Sequence, residues 1–117
     1  TKVLMPTRQY VFADRKPQVD HIFPKGLEGA DDAYRRLIDV VWNFQPIPAE
    51  INLHKSNRHP REYFLSEDGQ KYRVHFDFIP DSESPLWDDP ASFIAYREAA
   101  MRDELRRLYA LELEAYP

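Results

Sequence analysis

The stretch Val19-Asp20-His21-Ile22-Phe23-Pro24-Lys25 sets an acid beside an imidazole between apolar residues, with a proline closing the segment. Alternation predicts a strand from Val19 to Phe23, with Val19, His21 and Phe23 on one face and Asp20 and Ile22 on the other. Pro24 and Gly26 end it. Further on come Trp42-Asn43-Phe44-Gln45-Pro46-Ile47 and Glu50-Ile51-Asn52-Leu53-His54-Lys55. The three segments together supply a carboxylate, a titratable base and two amides, a set suited to one hard metal ion and one phosphodiester.

Working outward, Tyr10–Ala13 is a strand candidate on the N-terminal side, followed by the turn Asp14-Arg15-Lys16-Pro17. On the C-terminal side, Asp31-Asp32 opens a short helix, because acids suit its first turn and Ala33, Tyr34, Leu37, Ile38 and Val41 recur at helical spacing. Val40–Ile47 reads as extended. Pro48 then sits well at the first turn of a helix running to about Ser56, and Pro60 ends any continuation. Tyr63-Phe64-Leu65 and Tyr72–Ile79 flank Asp68-Gly69, which predicts a hairpin over 62–80. Leu86-Trp87 anchors the loop between Pro80 and Pro90. A long helix is expected over 91–115, with Ile94, Met101, Leu105 and Leu108 as its apolar stripe and Arg97, Arg102, Arg106 and Arg107 on its polar face.

The 117 residues fit one compact domain with a modest core. No apolar run is long enough to cross a bilayer and no signal-like start is visible, and the lack of cysteine is consistent with a cytoplasmic setting. A chain opening on Thr1 is expected to be a domain or fragment of something longer. The absence of cysteine excludes disulfide staples and thiolate zinc sites, so any metal must be held by oxygen and imidazole. The net charge of −4 is unevenly spread: residues 1–61 carry ten Lys/Arg against seven Asp/Glu, and residues 62–117 carry six against thirteen. The half holding the acid–imidazole pair is thus mildly basic, although strong sequence-blind DNA binding by this chain alone is disfavoured.

Asp20-His21-Ile22-x-Pro24, then Asn43, then Asn52 with Lys55 three residues on, resembles the HNH endonucleases, whose ββα-metal motif is a hairpin followed by one helix. The gap of nine between the asparagines is similar to that in the HNH domain of RNA-guided CRISPR nucleases. Asn52-x-x-Lys55-Ser56 with Pro60 and Tyr63-Phe64 resembles HNH domains at the C-terminus of bacterial defence and restriction proteins. The resemblance implies an α+β fold: an HNH ββα-metal core over 10–57, the added β-hairpin over 62–80 and the long C-terminal helix over 91–115.

By that resemblance His21 is the general base, Asp20 and Asn52 hold one Mg²⁺ or Mn²⁺ ion, and Asn43 orients the His21 segment. Lys55, Arg58 and Lys25 are the expected phosphate contacts. Many family members carry His where this chain has Asn52, and His54 lies two residues on. Those two positions differ by roughly 200° around a helix, so only one of them can face the metal. The spacing to Asn43 favours Asn52. The implied activity is metal-dependent hydrolysis of DNA, with a further domain or subunit choosing the target and no membrane involved. The alternative is an HNH-shaped module that binds DNA or protein without cutting. Each residue alone has a plain reading: Asp20-His21 as a surface pair, Asn43 as a turn former, Asn52 as a helix-surface amide. The run Lys55-x-x-Arg58-x-x-Arg61 reads equally as a phosphate contact or a solvated face.

Overall fold

The computed structural model describes residues 17–115. The expected strand at Tyr10–Ala13, and with it the start of the 10–57 core, lies outside them. Strand β1 (Gln18–His21) is followed by α1 (Asp32–Ile38), a 3-10 turn (Val41–Asn43), β2 (Phe44–Ile47) and α2 (Ala49–Lys55). Next come α3 (Pro60–Leu65), α4 (Glu67–Tyr72), 3-10 turns at Arg73–His75 and Pro85–Asp88, and α5 (Pro90–Ala115). The strands pair antiparallel with Gln18 opposite Ile47 and His21 opposite Phe44. The architecture is α+β, with a two-stranded antiparallel sheet and a long C-terminal helix. Among the described residues no helix is long and apolar enough to cross a membrane.

Local chemistry accounts for the element boundaries. The Asp31 carboxylate caps α1 by accepting from the Tyr34 N–H at 2.8 Å. β1 stops at His21, and both Ile22 and Phe23 are then fully buried, so the strict alternation expected through Phe23 breaks where the strand ends. Pro48 precedes α2 as its cap residue, and Pro60 opens α3 instead of only closing what came before. Asp89 starts α5, its carboxylate accepting from the Ala91 N–H at 3.2 Å and the Ser92 hydroxyl at 2.6 Å.

The hairpin expected over 62–80 is not formed; that segment is helical. Ser66 decides against it: its hydroxyl accepts from the Gly69 N–H at 3.1 Å, which caps α4, and Glu67 and Asp68 then fall in the first helical turn. Val74 is exposed, while Tyr63 and Phe64 reach the core from α3. There they pack with Ile22, Phe23, Ile38, Ile47, Ile51, Phe76, Trp87 and Phe93. Trp87, the expected anchor, stacks on Phe93 with ring centroids 4.9 Å apart.

Arg97 also departs from expectation. Phe93, Ile94, Arg97 and Met101 are the buried positions of α5, so the guanidinium lies within the stripe and not on the polar face. It donates to the carbonyls of Trp42 (2.8 Å), Phe44 (3.0 Å) and Asp77 (3.0 Å) and to the Gln45 side chain (3.0 Å). A single side chain thereby ties α5 to β2 and to the segment after α4.

Gly69 sits where backbones meet: a Cβ there would fall 1.8 Å from the Tyr63 carbonyl oxygen. Gly69→Ala is expected to lower stability by at least about 3 kcal/mol, the upper end for overpacking. Gly69→Asn, harmless in a hairpin turn, should be as damaging. Urea unfolding of the two variants checks this.

Candidate functional site

A cleft of about 250 Å³ opens between the end of β1 and α2, lined by Asp20, His21, Pro24, Lys25, Asn52 and Ser56, with Val19 and Asn57 at its margin. Asp20 and His21, and Asn52 more than thirty residues further on, thus share one concavity.

The inner wall is fixed by Asn43, which is fully buried. Its side-chain oxygen accepts from the Phe23 N–H at 3.0 Å, and its amide nitrogen donates to the carbonyls of Phe23 (3.0 Å) and Ile38 (2.9 Å). Its backbone carbonyl accepts from the Ile22 N–H at 3.0 Å. Asn43 therefore holds the chain just past His21 and is not among the residues that line the cleft. Tyr34 adds a bond from its hydroxyl to the Pro24 carbonyl at 2.8 Å, and burial pushes its phenol up to about 12.

Asp20 is 5% exposed and faces Lys55, whose side chain is fully buried. The ammonium lies 3.0 Å from the Asp20 carboxylate and donates to the carbonyls of His21 (3.2 Å) and Ile22 (2.9 Å). Burial pushes the Asp20 carboxyl above the ordinary aspartate range, with Lys55 opposing the shift. Burial likewise pulls the Lys55 ammonium down, with Asp20 opposing. Desolvation thus outweighs attraction on both sides of the pair. Lys55, expected to reach a phosphate, is turned inward and joins α2 to the end of β1.

His21 is part-exposed, packs edge-on against Phe44 at 4.7 Å, and places Nε2 3.0 Å from the Asp39 carboxylate. That hydrogen bond, ahead of Lys25 at 3.5 Å, holds Asp39 below the usual carboxylate range. Asn52 donates from its amide nitrogen to the Gln18 side chain at 3.0 Å, a bond that does not use its side-chain oxygen. His54 points elsewhere: its ring stacks between Tyr63 (5.7 Å) and Tyr72 (5.1 Å), so of the two candidates Asn52 is the one at the cleft.

Of the expected phosphate contacts, Lys25 lines the cleft. Arg58 stands outside it, with its guanidinium 5.2 Å from the Tyr63 ring centroid and donating to the Ser66 hydroxyl at 3.1 Å. Arg61 pairs with Asp88 and donates to the Ser84 carbonyl. The basic run Lys55–Arg61 is engaged internally, which neither reading of it anticipated. Asp39, Ser56 and Asn57 are site residues that sequence reasoning passed over. Ser56 turns with φ 49° at the end of α2, a backbone conformation unusual for a side chain other than glycine. Gly26 lies under Asn57, where a Cβ would come within 2.6 Å of the amide. The only signal for these two was their place beside motif residues.

Among the described residues no three His, Cys, Asp or Glu side chains converge as a metal-ligating group, so an amide has to complete any set here. The Asp20 carboxylate fits a cation in one respect: it is buried, and Lys55, 3.0 Å from Oδ2, offsets its desolvation only in part. A hard divalent ion takes a carboxylate oxygen and an amide oxygen readily.

No family model, curated protein or solved structure matches this chain.

Lys55→Ala leaves Asp20 buried without its counter-charge and is expected to cost roughly 3–5 kcal/mol of folding free energy. A lysine serving only a phosphate would cost almost nothing on removal. Chemical denaturation in the absence of DNA separates the two.

Proposed function

We propose that this domain is an HNH-type endonuclease that hydrolyses DNA phosphodiesters with one divalent metal ion. The observation that carries the reading is the meeting of Asp20, His21 and Asn52 in one cleft, on an antiparallel strand pair followed by a helix. Asp20 and Asn52 would hold Mg²⁺ or Mn²⁺; when bound, the ion supplies charge stabilisation for the departing 3′ oxygen. His21 is the general base and takes a proton from the attacking water, the task for which imidazole is the commonest side chain. Asn43 keeps the His21 segment in place through its bonds to Phe23 and Ile38. Lys25 is the exposed cation at the cleft for a phosphate oxygen, and Lys55 serves by holding Asp20. Products with a 5′ phosphate and a 3′ hydroxyl follow from the HNH resemblance.

The modest basic surface leaves target choice to a further domain or subunit, and restriction of foreign or modified DNA is the setting the resemblance suggests. Supercoiled plasmid incubated with Mg²⁺ or Mn²⁺ is expected to be nicked. His21→Ala should lower the rate by about 10²–10⁴-fold. Equal activity of parent and variant contradicts the reading.

Metal binding needs the ionised form of Asp20, whose proton affinity burial has raised. As pH falls, protons therefore displace the metal sooner than at an ordinary aspartate. Stabilisation by Mg²⁺, read as the rise in Tm, should fade at a pH above the ordinary aspartate range, and Asp20→Asn should abolish it throughout.

A further inference from the structure

We infer that Asp39 is a positioning residue for His21: its carboxylate accepts the Nε2 proton of the imidazole and so leaves Nδ1 as the nitrogen that receives the proton of the attacking water. This rests on the nuclease reading of the cleft. An ionised carboxylate has no proton to give, so the 3.0 Å contact between Nε2 and Oδ1 makes the imidazole the donor. The hydrogen bond that keeps Asp39 below the usual carboxylate range supports its ionised state near neutrality.

His21 is held at three points. Its backbone carbonyl accepts from Lys55 at 3.2 Å, its ring meets the edge of Phe44 at 4.7 Å, and Nε2 is bound to Asp39. Phe44 is its partner across the strand pair, so the sheet register fixes the second contact. Other charges near the ring are Lys25, 3.5 Å from the same Asp39 oxygen, and the neighbouring Asp20, itself faced by Lys55. Asp39 ends α1 and Asn43 follows it by four residues; the first grips the imidazole and the second the backbone beyond it. The segment from Ile38 to Asn43 thus sets both the place and the tautomer of the base.

In the reaction, the water oxygen bonds to phosphorus as the bond from phosphorus to the 3′ oxygen breaks. One water proton passes to Nδ1, the other stays on the new phosphate, and the departing oxygen takes a proton from solvent. The ring then carries a positive charge that faces Asp39. An acid that orients a base in this way contributes without touching substrate.

The test combines ¹⁵N spectra of the His21 ring, at one pH where imidazole is neutral, with kcat and KM for plasmid nicking. The parent is expected to show the Nε2–H tautomer. Asp39→Ala should give mixed tautomers and a kcat lowered about 10–100-fold, with KM little changed. Asp39→Asn, which retains an accepting oxygen, should restore the tautomer and part of the rate. Because Asp39 is half exposed, these variants should fold as the parent does. An active parent whose tautomer and kcat are unmoved in Asp39→Ala overturns this inference alone. A parent that shows the fixed tautomer but never nicks DNA overturns the nuclease reading, and the catalytic part of this inference with it.

Discussion

The Lys55 ammonium, sealed from solvent, is the contact on which the site depends. It meets the Asp20 carboxylate at 3.0 Å and donates to two successive carbonyls at the end of β1. Removing a lysine from water is costly, and it persists here because three oxygens converge on it. That convergence fixes how α2 lies against the strand. Asn52, one turn earlier on the same helix, is thereby brought to the cleft that Asp20 and His21 line. A hydrophobic contact in the same place would carry no such directional demand.

A second buried cation does comparable work on β2. Arg97 binds the carbonyls of Trp42 and Phe44 and so fixes β2 from the side of α5. Asn43, between those two residues, then holds the backbone after His21. The route from the long C-terminal helix to the site is a chain of hydrogen bonds to main-chain groups. Such bonds tolerate little displacement, since a buried carbonyl or amide left unpaired costs roughly 1–3 kcal/mol. The helices of residues 60–72 contribute differently, by packing Tyr63 and Phe64 into the core beneath this frame.

The parts legible in the sequence were those governed by local rules. α1 with its Asp31 cap, β2 up to Ile47, the helix after Pro48 and the long last helix all carry their signals within a few residues. The segment 62–80 was misread because Asp68-Gly69 and Ser66-x-x-Gly69 are both valid local signals, and the cap prevailed once Tyr63 and Phe64 could be buried from a helix. Periodicity assigns Arg97 to the polar face, and the resemblance assigns Lys55 to a phosphate; both are buried. What buries them is a set of carbonyls far away in sequence. Asp39 carried no signal at all, since its partner His21 stands eighteen residues away. The grouping of Asp20, His21 and Asn52 was legible only as an ordered pattern, because no periodicity links a strand end to a helix that follows twenty-eight residues later.

We propose that one divalent cation binds between the end of β1 and α2. Paramagnetic broadening of backbone amide signals by Mn²⁺, at levels well below the protein concentration, tests it most directly. Selective loss of the signals of Asp20, His21, Asn52 and their immediate neighbours, reversed by excess Mg²⁺, is the predicted result. Broadening centred on another acidic segment, such as Asp81–Glu83, or no selective broadening, would contradict it.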